Sequence, residues 1–438
     1  MRPRGLLGQA HWNLRHEGLA ATARKLIRAT PWIVRRAHVA IGPLLPARAQ
    51  RRAGLPGADH RFLAGPLFHV SASELQRSSD VQRQARTGPV TSATWFVSHF
   101  DHLAFGGIYT IFRFISGFAE RGVHNRIVIF DRKTTDPAEV KAAVVRAFPS
   151  LAAAEIIVFN QEAHRIEDLP PSDVAFCTFW VSAYVLLRYN QTGRKYYFIQ
   201  DYEPAFYPAG SMYALAQSTY RFGFEGVVNT PGLMSALRAA HGLDGVSFVP
   251  AVDERFFFPA PRSARGGRLR VFFYVRPNNS RNAFELVTII MRLLNARYGD
   301  RIEIVTAGSD WSERDHGLRG KVTNLGLLGT LEAVGALYRS CDIGVVYMLS
   351  KHPSYQPFEF MACGMATVTN RNEDNLWFLK DAVNCLIAEP SPVAMAEQIG
   401  RLIEDPELLA TIKEGGARSV DGDWPARVEM VWNEISRR

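Results

Sequence analysis

The feature that most constrains the fold is an alternation of apolar runs and an amphipathic helix over residues 94–131. The segments TWFVSHF and RIVIFD are predicted strands, and IYTIFRFISGFAERG between them has helical periodicity and ends at Gly122. This order predicts the first βαβ unit of a parallel sheet. Gly106 and Gly107 then lie in the loop after the first strand, where backbone can approach a ligand.

The alternation continues through the chain, which at 438 residues exceeds one ordinary domain. Further strands are predicted at 155–160, 173–179 and 195–201, and a second series opens with LRVFFYV at residue 269. We therefore predict an α/β protein with two Rossmann-like domains, residues 91–259 and 260–415. Residues 1–90 are predicted to form a basic helical extension with a connector, and residues 416–438 a terminal helix.

The net charge of +9 is concentrated in the N-terminal extension, because residues 1–61 hold twelve Lys or Arg and only two acidic residues. Leu19, Ala23, Leu26 and Ile27 share a helical face flanked by basic residues, which suits a helix on anionic lipid. A poorly ordered basic tail is the alternative. Nucleic-acid binding is disfavoured, because the extension lacks an interleaved aromatic pattern or a known fold signature.

No apolar run is long enough for a membrane span or a secretory signal, so we expect a cytoplasmic protein, with peripheral membrane contact through residues 1–61 as an option. The four cysteines are far apart in apolar surroundings and show no metal-ligand spacing. They are interpreted as buried, reduced thiols. His99, Asp101 and His102 in SHFDH lack a further ligand at recognisable spacing, so no metal site is predicted.

Residues 347–370 carry the clearest chemical signal. A predicted strand, Val345 to Leu349, leads into a polar loop, a short helix from about Phe358, and another strand, Ala366 to Thr369. Unpaired N–H groups at such a helix N-terminus favour an anion. Glu359 in the first turn can cap the helix or accept hydrogen bonds from ligand hydroxyls.

The run FEFMACGMATVTN resembles the donor-sugar segment of retaining GT-B glycosyltransferases of the glycogen-synthase-like group. The HPSYQPFE loop is similar to the WsaF-like rhamnosyltransferases that build bacterial surface glycans. Glycogen-synthase-like enzymes commonly carry a second glutamate eight positions before the one matched by Glu359, and Lys351 stands there in this chain. Lys351 or His352 is expected to substitute for it.

The resemblance implies a donor site in the cleft between the two domains. Arg276 and Arg281 have the family's spacing for a clamp on the nucleotide diphosphate, and fixed guanidinium groups can stabilise the developing charge without a metal. Glu359 would bind the ribose and VTNLGLLG the base. The implied donor-binding residues are Gly106, Gly107, Leu325, Gly326, His352, Ser354, Tyr355 and Gln356.

Asp201 and Glu203 in QDYEP follow a predicted strand at its carboxyl end. They are predicted to bind acceptor hydroxyls, and capping of the next segment is the alternative. Val252, Asp253, Phe257 and Pro259 resemble the family's interdomain crossing. The resemblance also implies that the terminal helix returns to the first domain, and residues 370–375 are expected to line the cleft.

The predicted function is transfer of L-rhamnose from dTDP-L-rhamnose to a saccharide or lipid-linked saccharide in surface polysaccharide synthesis, with retention and no cofactor or metal. One alternative is a retaining transferase that uses a UDP- or GDP-sugar. The other is a non-catalytic, membrane-associated scaffold of a glycan assembly complex, which the substitution at Lys351 and the basic extension would suit. Dinucleotide oxidoreduction is disfavoured because no GxGxxG follows an early strand.

Overall fold

The computed structural model describes residues 65–84, 88–100, 103, 106–130, 136–159, 164–261 and 267–437. The predicted basic helix in residues 1–61 therefore lies outside the described residues, as do Asp101 and His102. Within the described ranges, no helix is long and apolar enough to cross a membrane.

The first domain contains a seven-stranded parallel sheet in the order β3-β2-β1-β4-β5-β6-β7. Its strands are Ser92–Ser98 (β1), His124–Phe130 (β2), Glu155–Phe159 (β3), Ser172–Cys177 (β4), Thr192–Ile199 (β5), Glu225–Asn229 (β6) and Gly245–Phe248 (β7). The central strands are apolar at nearly every position, because helices cover both faces of the sheet.

Among the described residues, six α-helices accompany this sheet. They are Ala72–Arg83 (α1), Gly106–Glu120 (α2), Pro137–Ala147 (α3), Trp180–Arg188 (α4), Ser211–Ser218 (α5) and Pro231–His241 (α6). Helix α6 shows how local sequence sets the ends: Thr230 Oγ1 caps the Leu233 N–H, Pro231 opens the helix, and Gly242 closes it at φ 68°.

The second domain contains a six-stranded parallel sheet in the order β10-β9-β8-β11-β12-β13. The strands are Leu269–Tyr274 (β8), Ile302–Ala307 (β9), Val322–Asn324 (β10), Ile343–Val346 (β11), Ala366–Asn370 (β12) and Leu386–Ala388 (β13). The helices are Phe284–Tyr298 (α7), Leu331–Arg339 (α8), Gln356–Ala362 (α9), Pro392–Glu404 (α10) and Pro406–Ser419 (α11). The predicted α/β architecture with two Rossmann-like domains is confirmed.

The last helix, Trp424–Arg437 (α12), returns to the first domain and packs against α2 and β7. Trp424, Val428, Val431 and Ile435 are buried in the apolar layer that also holds Trp95 and Phe118. Gly117 makes this approach possible, because a Cβ there would lie 2.3 Å from the Val428 side chain. The chain thus crosses between the two domains twice.

Part of the predicted connector is built into the first domain. Leu67 and Phe68 are buried, and the Phe68 ring packs against Trp180 and Tyr184. Helix α1 is fixed by an ion pair of 2.8 Å between Glu74 Oε1 and Arg188 Nε. Residues 65–84 have few apolar positions, because only one side of the segment packs on the domain. Their composition therefore resembles that of a linker.

In both sheets the strand order reverses next to the first strand, between β1 and β4 and between β8 and β11. The loops that follow the carboxyl ends of these neighbouring strands lead to opposite faces of the sheet and leave a crevice between them. Open α/β sheets bind ligands in such crevices. The two crevices open onto one cleft.

Candidate functional site

The cleft contains a cavity of about 420 Å³ with walls from both domains. On one side, Ser98 ends β1 and Thr178 follows β4. On the other, Arg276 follows β8 and Met348 follows β11. The predicted site residues that line it are Gly106, Gly107, Asp201, Glu203, Arg276, Arg281, His352, Ser354, Tyr355, Gln356 and Glu359. Residues predicted from distant parts of the sequence are therefore brought together.

Arg281 lies in a helical turn, Ser280–Asn282, that leads into α7. Its Nε is 3.4 Å from Asp201 Oδ2, and its Cζ lies 4.2 Å from the centroid of the Phe206 ring. No hydrogen bond is formed in this pair, and Nε is buried without a hydrogen-bond partner among the described residues. The guanidinium is thus incompletely satisfied, which is costly for a buried donor.

His352 is a second incompletely satisfied donor. Its Nδ1 accepts a 2.9 Å hydrogen bond from the Ser354 N–H, and burial lowers its pKa to about 4. The ring is therefore neutral near pH 7, and its proton must be on Nε2. That nitrogen is buried and finds no partner in the described part of the chain.

Arg276 lines the cavity five positions before Arg281, two residues after β8 ends. Lys351, at the position of the glutamate that the resembled enzymes carry, instead forms an ion pair of 2.8 Å with Asp374. It is not among the residues that line the cavity. Of the two residues proposed to replace that glutamate, only His352 faces the site.

The loop before α9 is held in a strained conformation. Ser354 has φ 70°, which a residue other than glycine rarely adopts, and its hydroxyl donates to Gln356 Oε1. Helix α9 then begins at Gln356 and is seven residues long. The loop places Ser354 and Gln356 on the cavity wall, where both were expected.

Glu359 is half-buried in the first turn of α9 and lines the cavity. Burial raises its pKa to about 8, although the nearby Arg113 charge acts in the opposite direction. Its carboxylate makes no hydrogen bond or ion pair to another described residue. It does not cap its own helix, so it remains available to ligand hydroxyls.

Tyr355 lines the cavity, but its hydroxyl is held by groups of the protein. Its hydroxyl accepts a 2.7 Å hydrogen bond from Asn229 Nδ2, donates to Gln200 Oε1 at 3.2 Å, and lies 2.9 Å from Thr110 Oγ1. All three partners belong to the first domain. Tyr355 therefore joins the domains, and its hydroxyl is already satisfied by protein groups.

The two acidic residues of QDYEP have separate environments. Glu203 is buried, and its Oε2 accepts hydrogen bonds from the Trp180 N–H at 2.6 Å and from Tyr197 Oη at 2.9 Å. Burial raises its pKa to about 8 despite these bonds. Glu203 thus caps α4, which precedes it in the chain, and not the following segment that the alternative named. Asp201 faces the cleft and Arg281.

Gly106 and Gly107 begin α2 at the cavity wall. The Gly107 carbonyl accepts a 2.8 Å hydrogen bond from Gln200 Nε2. A Cβ on Gly106 would lie 3.3 Å from the Tyr355 ring, so a larger residue would push against the contact between the domains. The first glycine is therefore needed for domain packing as well as for access to the cleft.

Two groups of residues expected at the cleft lie outside this cavity. Leu325 and Gly326 do not line the cavity; Leu327 and Leu328, two positions further along, do so instead. Leu325 is displaced because its N–H pairs with the Thr306 carbonyl and extends β10. No residue of 370–375 lines the cavity either, because Asn370 and Asn372 hydrogen-bond the backbone of Met348 and Ser350.

Sequence reasoning also missed some residues of the cavity. Gln200 is the first residue of QDYEP and Phe206 follows the segment by two positions. Their contacts with Tyr355 and Arg281 depend on the opposite domain. The cavity also has an apolar wall in the second domain, of which the sequence pointed only to the VTNLGLLG segment. Its members are Phe272, Tyr274, Leu327, Leu328, Leu331, Val334, Leu337 and Tyr338. Phe206 had a signal, since an aromatic residue follows the two acids.

The predicted crossing segment contains a buried ionic contact. Asp253 Oδ2 lies 2.8 Å from Arg113 Nη2 of α2 and 2.7 Å from Arg255 Nη2. Burial alone would raise the pKa of Asp253, but hydrogen bonds from Arg255 and the charge of Arg113 hold it below its usual range. The Arg113 guanidinium also lies over the Trp424 ring. Arg113 thus contacts both segments that cross between the domains, the one at Asp253 and the one that begins α12 at Trp424.

The described residues contain no cluster of three His, Cys, Asp or Glu side chains that could hold a metal ion. His99 belongs to this part of the chain, whereas its predicted neighbours Asp101 and His102 do not. All four cysteines are buried, as expected, and none of them forms a disulfide bond.

Two family models match the chain. The model described as WsaF, N-terminal domain, matches residues 98–229, and the model described as WsaF, C-terminal domain, matches residues 269–400. The first match falls on the first sheet and its helices, and the second on the second sheet and its helices. Together they account for more than half of the chain.

The chain is 42% identical over 346 residues to the O-antigen biosynthesis protein RfbC of Myxococcus xanthus. That match covers 78% of this chain and 27% of the relative, so the chain spans about a quarter of the relative's length.

Solved structures share the arrangement of both domains. HepE of Anabaena, in complex with UDP and glucose, has a TM-score of 0.58 at 15% identity, over 79% of this chain and 98% of that one. TarM has a TM-score of 0.61 at 10% identity, over 80% of this chain and 99% of that one. These likenesses concern the fold, and the predicted GT-B arrangement is confirmed.

Proposed function

The chain belongs to the WsaF-like family of GT-B glycosyltransferases, and from that premise we propose that it transfers L-rhamnose from dTDP-L-rhamnose to a saccharide acceptor. The proposed setting is synthesis of a bacterial surface polysaccharide, which the name of the Myxococcus xanthus relative supports. The acceptor is a saccharide or a lipid-linked saccharide. Contact of residues 1–61 with an anionic membrane stays a prediction.

One observation carries the assignment of a diphosphate-bearing donor. Arg281 Nε and His352 Nε2 are buried donors without partners in the described part of the chain, and both residues line the same cavity as Arg276. A buried N–H that lacks an acceptor is rare in folded proteins. A nucleotide diphosphate would supply acceptor oxygens to both groups and negative charge to the two arginines.

The rest of the nucleotide has suitable surroundings. The wall formed by Leu327, Leu328 and Tyr338 is apolar and suits one face of a base. The Glu359 side chain makes no hydrogen bond to another described residue and would accept one from the sugar hydroxyl of the nucleotide. The choice of thymine and of rhamnose rests on the resemblance of the HPSYQPFE loop to WsaF-like rhamnosyltransferases.

The proposed reaction exchanges one C–O bond for another. The bond between the anomeric carbon and the diphosphate oxygen breaks, and its electron pair leaves with the diphosphate. The acceptor hydroxyl oxygen forms the new bond on the same face, which retains the configuration, and its proton passes to the departing diphosphate oxygen. Arg276, Arg281 and His352 stabilise the charge that develops there.

Titration calorimetry with dTDP tests the role of the cleft. Arg281→Ala is expected to weaken binding by roughly a hundredfold, which corresponds to about 3 kcal/mol, the upper range for a lost hydrogen bond to a charged group. Arg292→Ala, on the exposed side of α7, is the matched control and should bind as the wild type does. Equal affinity of Arg281→Ala and wild type, with both folded by circular dichroism, would remove Arg281 from the site.

A further inference from the structure

Arg281 covers two neighbouring groups of the opposite domain. Its guanidinium lies over the Phe206 ring at 4.2 Å, and its Nε lies 3.4 Å from Asp201 Oδ2. The other carboxylate oxygen, Oδ1, accepts a 2.7 Å hydrogen bond from the Tyr202 N–H and is held in place. One oxygen of Asp201 and one face of Phe206 are therefore blocked by the same side chain.

A carboxylate beside an aromatic face is a combination that suits a sugar. The ring packs against the C–H groups of a pyranose, and the carboxylate accepts hydrogen bonds from its hydroxyls. Both residues line the cavity on the first-domain side, opposite the arginines and His352. The pair can hold a sugar only when the Arg281 guanidinium has moved away.

We propose that Asp201 and Phe206 form a subsite for the acceptor sugar, and that Arg281 closes this subsite until a nucleotide diphosphate draws the guanidinium to itself. This inference rests on the proposed function, because it takes Arg281 to be a diphosphate ligand. It adds Phe206 to the acceptor site and gives Arg281 two positions. Donor binding then opens the acceptor site, so the donor binds first.

The contacts that hold Arg281 in the closed position are weak enough to be exchanged. The ion pair with Asp201 is long, lacks an aligned hydrogen bond and is partly exposed, and such pairs contribute little. Stacking over Phe206 adds a modest cation–π attraction. A diphosphate offers more negative charge and paired acceptor oxygens, to which guanidinium groups bind in a fork geometry.

In this proposal Asp201 and Phe206 compete with the diphosphate for the Arg281 guanidinium. Removing either contact should therefore strengthen dTDP binding, whereas loss of a direct donor contact would weaken it. Asp201→Asn keeps the Oδ1 acceptor for the Tyr202 N–H but removes the charge that holds Arg281. Phe206→Leu removes the stacking surface. Titration calorimetry of the full chain with dTDP should show several-fold tighter binding for both variants than for the wild type.

Asp244→Asn is the control for the general effect of removing one negative charge, since Asp244 is exposed and pairs with Arg238 in the first domain. It should change dTDP affinity little. Weaker or unchanged dTDP binding by both Asp201→Asn and Phe206→Leu would overturn the closure model while leaving the donor site intact. No dTDP binding by the wild type would overturn the proposed function and this inference together.

A second readout concerns the sugar subsite itself. Saturation-transfer NMR with methyl α-L-rhamnopyranoside, methyl α-D-glucopyranoside and methyl α-D-mannopyranoside should detect contact of at least one glycoside with the wild type only when dTDP is present. Arg281→Ala should bind the same glycoside without dTDP. Equal signals from the wild type with and without dTDP would contradict a subsite closed by Arg281.

Discussion

Asn229 Nδ2 donates a 2.7 Å hydrogen bond to Tyr355 Oη, and this bond joins the end of β6 in the first domain to the loop before α9 in the second. Asn229 is fully buried, and the Tyr355 ring rests on Gly106. The loop before α9 is therefore anchored to the first domain by its own tyrosine. The neighbouring His352 and Ser354 owe their positions in the cleft to this anchor.

Tyr355→Phe should lower the free energy of unfolding by about 1–3 kcal/mol, because it leaves buried Asn229 Nδ2 without its partner. Denaturant titration measures this change. The matched control is Tyr347→Phe, since the buried Tyr347 hydroxyl has no hydrogen-bond partner among the described residues and its loss should cost nothing. Equal losses in the two variants would show that the interdomain bonds of Tyr355 do not stabilise the fold.

The buried Lys195 predicts a pH dependence of stability. Its ammonium group donates to Ser78, Asn190 and the Leu187 carbonyl, all neutral groups, and burial lowers its pKa to about 7 from 10.5. Between these values only the unfolded chain binds the proton, so the contribution of Lys195 to the unfolding free energy rises with pH. The full rise corresponds to about 5 kcal/mol.

Comparison of variants isolates that contribution from other titrating groups. The unfolding free energy of the wild type minus that of Lys195→Met should rise steadily between pH 7 and 10, because only the wild type has the contribution from Lys195. Lys321→Met, at an exposed position, should run parallel to the wild type. A parallel course for Lys195→Met as well would mean that Lys195 titrates near its ordinary pKa.

His352→Asn should weaken dTDP binding by roughly tenfold, the effect of one lost hydrogen bond to a charged group. Asparagine can still accept the Ser354 N–H but offers no donor at the Nε2 position. Because the pKa of His352 is lowered to about 4, the ratio of wild-type to variant affinity should stay constant from pH 5.5 to 8. A ratio that grows as the pH falls through 6.5 would show that the imidazolium binds the ligand.

The strands and helices were predictable because they depend on local periodicity. Strand β1 and helix α2 were placed within a few residues, since apolar runs and amphipathic helices leave a direct signal. The short edge strands β7 and β13 were missed, because four and three residues carry too little pattern. The connector was misjudged since only Leu67, Phe68 and one face of α1 are packed.

Site residues were predictable where a family motif fixes their position, as with Arg276, Arg281 and Glu359. The roles of Tyr355 and Glu203 were not, because each is decided by partners far away in the sequence. Tyr355 meets Asn229 and Thr110 of the other domain, and Glu203 meets the N-terminus of α4. Whether a polar side chain serves a ligand or the protein depends on such tertiary contacts.

The central claim is that this cleft binds the nucleotide of a dTDP-sugar, and a calorimetric panel of dTDP, UDP, GDP, ADP and NAD against the full chain tests it most directly. The account predicts that dTDP binds tightest and that Arg281→Ala weakens dTDP binding by roughly a hundredfold. Tighter binding of UDP or GDP would contradict the assigned donor. Binding of none of the five would contradict a transferase acting at this cleft and favour the scaffold alternative.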